Sequence, residues 1–276
     1  MNRQLSLLVF VAITASLAIW PCQLKAAPIN EARVTRVRNH VKLENSGKPR
    51  RGVAVNDIVH EETVVRTGNE SRAELTFSDE TVVRLAAKTA FDFNRGTRGL
   101  NLKDGAVLVQ APKGARGATI HAGGVAAAVA GTTVMIEYHP GVYKFLVLEG
   151  TGRLYRPGHI GDSVLVAPGQ LVFGNPEAAV SDPVDVDIAR FMKTSRFITD
   201  FPPLRSEKSI VAQGQKQQRE KSNKTLRDTN LVIFGGGTQV SDIGREQADL
   251  EARTDAAVAV PARVSTLNRN TAPALP

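Results

Sequence analysis

Glu62-Thr63-Val64-Val65-Arg66 returns, letter for letter, eighteen residues later as Glu80-Thr81-Val82-Val83-Arg84. Each copy is rich in β-branched residues and is flanked by turn-forming or polar residues, the signature of short strands repeated so that neighbours cover one another's apolar faces. The strand between the copies has a clear period of two. Ala73, Leu75 and Phe77 alternate with Arg72, Glu74 and Thr76, which places the first set on a core and the second in solvent. After the turn Ser78-Asp79-Glu80, Val83 and Leu85 continue the inward face and Arg84 points out. On this reading Leu75→Asp destabilises the domain severely and Glu74→Gln does little.

Working outward, short apolar runs punctuated by Gly, Pro, Asn and Asp continue from Gly52 to about Pro176. Candidate strands include Thr63 to Arg66, Arg72 to Phe77, Thr81 to Leu85, Ala90 to Phe93, Leu100 to Leu102, Ala106 to Gln110, Val125 to Val129, Thr132 to Tyr138, Tyr143 to Leu148, Ser163 to Ala167 and Gln170 to Phe173. Many short strands at close spacing, with no helical periodicity, predict an all-β domain. The Gly- and Ala-rich stretch from Gly105 to Thr133 suits tightly stacked strands. It is not a phosphate loop, because no Gly-Lys-Ser or Gly-Lys-Thr occurs in it.

Several pieces of this span, in order, resemble the FecR-type periplasmic domain. They are Gly68, Ser71-Arg72-Ala73-Glu74-Leu75, Phe77, Asp79 and Arg84-Leu85; then Leu102 and Gly105-Ala106-Val107-Leu108-Val109; then Ala128-Val129-Ala130-Gly131-Thr132-Thr133-Val134; then Val147-Leu148-Glu149-Gly150 and Pro168-Gly169-Gln170. The resemblance covers roughly residues 52 to 174. Two positions depart from the family pattern. Asp79-Glu80 stands where Asp-Gly is usual, and Glu80 tolerates a positive backbone angle poorly, so a wider turn is expected. Ala130 stands where a basic or polar residue usually precedes Gly-Thr, so any role of that side chain is absent. The resemblance implies envelope signalling, in which a cytoplasmic anti-sigma segment and a membrane helix precede this domain and the domain reads a transporter's occupancy. Only four residues precede the apolar run of this chain. No cytoplasmic domain is therefore expected, and sigma-factor control is not carried over.

That apolar run, Leu5 to Trp20, follows Arg3 and leads through Pro21 to Ala26-Ala27, a secretory signal with cleavage expected after Ala26. Its sixteen residues fall short of the ~20 that a spanning helix needs. Cys22 is the lone cysteine and Trp20 the lone tryptophan. A mature chain without them has no disulfide and no Cys-ligated metal. Removing Arg3 and Lys25 brings the net charge from +8 to +6. Much of the remainder lies between Leu204 and Asn230, in Arg205, Lys208, Lys216, Arg219, Lys221, Lys224 and Arg227. This stretch reads as a solvated linker or as an attractor for an anionic envelope polymer or membrane surface. It lacks the aromatics that nucleic-acid binding would use.

Past the β-region, Ile188, Phe191, Met192, Ser195 and Ile198 follow helical spacing behind the N-cap candidate Asp187, and Pro202-Pro203 ends the run. Such a helix either caps the β-stack or presents Ile188, Phe191 and Met192 as a partner surface. Beyond it, the polar and Ala/Pro-rich sequence buries too little to offset chain entropy and is expected to be disordered. Leu231-Val232-Ile233-Phe234 is an isolated apolar run that could add a strand to the domain edge or to a partner. His40, His60, His121, His139 and His159 show no metal-ligand spacing and read as loop histidines. No Gly-x-Ser-x-Gly elbow is present and no pair of acids stands out.

The sequence thus predicts an all-β, β-solenoid-like stack with one short C-terminal helix and a disordered tail. The expected segments are 1–26 signal peptide, 27–51 lead-in, 52–176 FecR-type domain, 177–203 linker and capping helix, and 204–276 basic tail. The expected function is an exported, non-enzymatic interaction or sensing module of the bacterial cell envelope, in the periplasm or at the cell surface. It would act on a protein partner and need no cofactor, metal or nucleic acid. The alternative is a cell-wall or surface polysaccharide-binding module. The few tyrosines, Tyr138, Tyr143 and Tyr155, lie in predicted strands, which argues against sugar stacking.

Overall fold

The computed structural model describes residues 31–45, 47, 49–94, 97–115, 117–221, 226–227, 231–233 and 240–242. The expected cleavage at Ala26, Cys22, Trp20, Lys224 and the tail beyond 242 lie outside the described residues. In chain order the strands of the β-region are β1 (Glu31–Arg38), β2 (Val41–Glu44), β3 (Arg51–Gly52), β4 (Ile58–His60), β5 (Val64–Thr67), β6 (Arg72–Phe77), β7 (Val82–Leu85), β8 (Ala90–Phe93) and β9 (Gly99–Gln110). They continue with β10 (Ala118–Ala122), β11 (Val125–Val129), β12 (Thr133–His139), β13 (Val142–Glu149), β14 (Gly152–Tyr155), β15 (Ser163–Val166), β16 (Gln170–Gly174) and β17 (Val184–Asp185). Three helices follow, α1 (Ile188–Thr194), α2 (Arg196–Thr199) and α3 (Glu207–Glu220), and then β18 (Leu231–Ile233) and β19 (Val240–Asp242).

The β-region is a two-layer sandwich. One layer runs β4-β1-β6-β7-β9-β12-β13-β16-β17, and the other runs β3-β2-β5-β8-β9-β10-β11-β14-β15. Helices lie on the first, hereafter the covered layer; the outer face of the second, the open layer, meets solvent. Strand β9 belongs to both. Its N-terminal half pairs with β8 and β10, its C-terminal half with β7 and β12. Gly105 stands where the strand changes layers, at φ +94, and an added Cβ would lie 2.6 Å from the Thr89 main chain. Only glycine fits both demands. Among the described residues every ladder is antiparallel except β9 with β10.

Period two builds the core as the sequence predicts. Leu75, Val83, Val107, Val109, Val134, Ile136, Phe145 and Val147 of the covered layer meet Val65, Phe91, Phe93, Leu100, Ile120 and Leu154 of the open layer in one buried cluster. Phe77 and Phe93 pack edge to face across the layers, with centroids 5.0 Å apart. Residues 31–44, expected as a lead-in, are part of the domain: β1 lies beside β6, and β2 beside β5. The two runs expected at Leu100 and Ala106 are one strand, β9.

The repeated pentapeptide is the same turn-into-strand device used twice. Glu62 and Glu80 both take left-handed backbone angles, φ +61 and +67. The threonine that follows each is buried, and Val65 and Val83 are fully buried, one in each layer. The wider turn expected at Asp79-Glu80 does not form. Residues 78–80 make a three-residue hairpin loop, closed by Phe77 N–H to Thr81 O and Glu80 N–H to Phe77 O, both 2.9 Å. Glu80 takes its left-handed position without glycine. Surrounding bonds offset that strain: Asp79 Oδ1 accepts from Thr81 N–H at 3.0 Å, Asp79 Oδ2 accepts from Arg98, and Arg205 grips Glu80. The Arg205 guanidinium holds the Glu80 carboxyl below its usual range.

Tyr143 gives the core a pH limit. Its ring is 1 % exposed, and its hydroxyl has no hydrogen-bond partner among the described residues. Burial pushes the phenol up to about 12. A folded value above the unfolded one means that the neutral ring's contribution is complete below pH ~10 and is lost as pH rises through about 12. Tyr143→Phe is therefore expected to match or exceed the wild type at pH 8. It should also remove an alkaline destabilisation on the order of 2 kcal/mol by pH 12. Urea midpoints of both proteins from pH 8 to 12 test this; parallel curves would refute it.

Candidate functional site

The outer face of the covered layer is occupied. Leu108, Met135, Leu146, Leu148 and Leu171 point away from the sandwich into a second buried cluster with Val186, Ile188, Phe191, Phe197, Leu204 and Ile210. The proposed partner surface is therefore corrected: Ile188 and Phe191 are 1 % and 3 % exposed, and Met192 packs beside them. They face the sheet because it presents an apolar outer face that needs cover. The expected N-cap is present, Asp187 accepting from Arg190 N–H at 2.9 Å. The single expected helix is broken at Ser195, whose extended backbone ends α1 and caps α2.

The tail does not begin at residue 204. Helix α3 occupies 207–220 and buries Ile210, Gly214 and Gln217 at helical spacing. Gly214 lets Ile188 approach; Gln217 accepts from Ile188 N–H at 3.2 Å and donates to Val186 O at 2.8 Å. A stripe of one isoleucine, one glycine and one glutamine gives almost no hydropathy signal. The helix-favouring run of Gln, Lys, Arg and Glu was the available cue. Several tail cations are engaged: Arg205 with Glu80, Lys216 with Glu220 and Lys221 with Asp185. Strand β18 pairs with β19 rather than with the domain edge.

The helices are anchored by a charge read as solvent-facing. Arg84 is 2 % exposed, and Glu74 and Arg72 are also buried. Arg84 Nε donates to Glu74 Oε2 at 2.8 Å, and its two terminal nitrogens donate to Phe197 O at 2.6 Å and Pro202 O at 2.5 Å. The Phe201 ring lies 4.8 Å from the guanidinium carbon. Burial presses the guanidinium below its usual range, and Glu74 partly restores it. Glu74 also accepts from Thr35 Oγ1 at 2.8 Å. The alternation correctly put these side chains outward, but outward here is under the helices.

Three of the four layer ends are blunted. Strand β4 spans three residues, beside a β1 that carries Arg36 and Arg38. β17 spans two and is flanked by Arg227, whose N–H reaches Asp185 O; β3 is Arg51–Gly52. The fourth, β15, has four uncharged residues and pairs with β14 alone. Arg156 N–H bonds to Asp162 O, so the antiparallel alternation turns the Leu165 N–H and C=O away from β14. Ser163 N–H is tied to Gly161 O and Ala167 N–H to Gln170 Oε1, which leaves Leu165 as the open donor. Leu165 is 57 % exposed, and Ile160 in the adjoining turn is fully exposed. Such an edge is a template for another strand.

Two shallow concavities are lined largely by polar and charged residues. One, about 290 Å³, lies among Glu80, Gln110, Lys113, Glu149, Arg205 and Ser206, where Lys113 pairs with Glu149 at 3.3 Å. No cluster of His, Cys, Asp or Glu capable of holding a metal occurs among the described residues. His60, His121 and His139 sit on strands rather than in loops, whereas His40 and His159 are in loops. No helix among the described residues is long and apolar enough to cross a membrane.

Residues 63–151 match the family model of the FecR protein. The chain carries a FecR-type domain. The match runs from just before β5 to the residue preceding β14, so the edge strand β15 and the helices that bind Arg84 lie outside it. No curated protein matches the chain. Two crystal structures of a candidate anti-sigma factor from Parabacteroides distasonis are similar to it, at 13 % identity. One covers 70 % of this chain and 91 % of its own with a TM-score of 0.42; the other covers 70 % and 90 % with 0.41. The outer surfaces of the β-region thus divide into a face closed by helices and a face and edge left open.

Proposed function

We propose that this chain is an exported, non-enzymatic FecR-domain protein of the bacterial cell envelope, acting as a protein-interaction or sensing module. The observation that carries the reading is β15, the one layer end that is neither blunted nor covered among the described residues. Its occupant is an extended segment of an envelope protein, added antiparallel through the Leu165 N–H and C=O and packed on the Leu165 and Ile160 side chains. The FecR match supports envelope association and a signalling role. We also read the chain's repeated passage between the layers as the solenoid-like stacking expected from the repeat.

Leu165→Pro tests this. Its N–H faces the open side, so proline leaves the β14 pairing intact while removing the donor. A photo-crosslinker at Ile160 in the full chain is expected to capture a defined envelope protein, and adding Leu165→Pro is expected to abolish capture without changing Tm. Capture that survives Leu165→Pro would overturn strand addition.

A further inference from the structure

We propose that the open edge of β15 is occupied in the resting protein by the chain's own β18–β19 hairpin, which adds β18 as the next strand and must be displaced before a partner binds. The inference rests on the reading of β15 as the strand-addition site and says how that site is regulated. Strand β18 spends one edge on β19, and its other edge has no partner among the described residues. A two-stranded hairpin is at best marginally stable alone in water. It gains stability by joining a sheet, and the unfilled sheet edge lies where the chain emerges.

That position follows from the strand order. Outward from β9 the covered layer runs β12, β13, β16, β17 and then Arg227, which bridges Val186 in parallel. The open layer runs β10, β11, β14 and β15, with no described strand beyond. Arg227 thus faces the open place beside β15, one layer spacing away, about 10 Å. Three residues separate it from Leu231, and the four steps reach ~13 Å when extended. The direction fits as well. Strand β15 runs toward the turn that Gln170 N–H closes on Ala167 O, and β16 runs back from it. Strand β17 is antiparallel to β16 and returns to the turn, where Val186 N–H bonds to Gly169 O at 2.9 Å. Arg227 is parallel to Val186, so the chain leaves past this turn in the direction of β15. Entering the place beside β15 requires a reversal, which makes β18 antiparallel to it. That is the orientation which the Leu165 N–H and C=O offer. Neither Ser163–Val166 nor Leu231–Ile233 carries a charge, so the pairing sets no like charges against each other. The hairpin's far strand, β19, has three residues and ends in Asp242, a short charged edge that resists further addition.

Hydrogen exchange on the purified full-length protein tests this without any partner. The Leu165 amide is expected to exchange about tenfold or more slowly than an open donor. Val232→Pro, which disrupts β18 whichever neighbour its N–H faces, should bring that amide within about twofold of the open rate. The Val164 and Val166 amides, which face β14, should exchange alike in both proteins and show that the sandwich is intact. Ala257→Pro, beyond β19, should leave the Leu165 protection unchanged. Tenfold protection leaves about a tenth of the molecules open, so Val232→Pro should raise crosslinking from Ile160 to an envelope partner by up to about tenfold. An unprotected Leu165 amide in the full chain overturns the self-pairing, as does protection that survives Val232→Pro. Protection that grows with protein concentration assigns the edge to a second copy and overturns it too. Envelope capture bears on the reading of the site alone: no capture from either protein, with Leu165 protected only when β18 is intact, removes the partner and leaves the self-pairing standing.

Discussion

Arg84→Met is expected to destabilise the protein by about 3–5 kcal/mol, because it strands the buried Glu74 carboxylate and leaves the Phe197 and Pro202 carbonyls unpaired. Arg66→Met, at the same position of the other repeat copy, should cost less than ~0.5 kcal/mol. Arg66 is exposed on the open layer, and its contact with Glu44 is a surface pair. Urea unfolding of the two variants makes the comparison; equal losses would mean that Arg84 does not hold the helices down. Glu74→Gln, innocuous on sequence grounds, is now expected to cost on the order of 2 kcal/mol, since the guanidinium stays buried with a weaker acceptor. The charge network, not the β-core, is what these variants probe, so near-UV signals from Phe197 and Phe201 should loosen before the strands melt.

Leu75→Asp should be at least as damaging. Leu75 is fully buried between the layers, and an unpaired carboxylate there costs on the order of 3 kcal/mol or more, beyond the lost apolar contact. Leu165→Asp makes the same chemical change at a residue that is 57 % exposed and should shift stability by less than ~0.5 kcal/mol. Thermal melts of the pair separate burial from strand membership. Similar melting temperatures would overturn the assignment of Leu75 to the core.

The strands were legible because a half-buried strand writes its face into every second residue. Arg72 to Phe77, Ala90 to Phe93 and Val125 to Val129 have the ends that the sequence predicts. The repeat was legible too, and the structure gives its meaning: a left-handed glutamate, a buried threonine and a core valine, once in each layer. The family was readable from motifs that lie between Gly68 and Gln170. Helix α3 was not, because it docks through the Gly214 gap and the Gln217 side chain, and neither registers as hydrophobic.

The sequence by itself determined which residues alternate and where the turns fall. Which outward face is covered was decided only in three dimensions. Arg66 and Arg84 occupy identical pentapeptides, yet one meets water and the other is buried, because the helices close over one layer alone. The same holds for the apolar stripe of α1, whose helical spacing records that a face is buried without recording against what, and for Tyr155, whose exposure depends on the layer it belongs to. Local pattern sets the direction of a side chain relative to its own strand; what lies in that direction comes from residues distant in the chain, 113 and 118 positions away for Arg84.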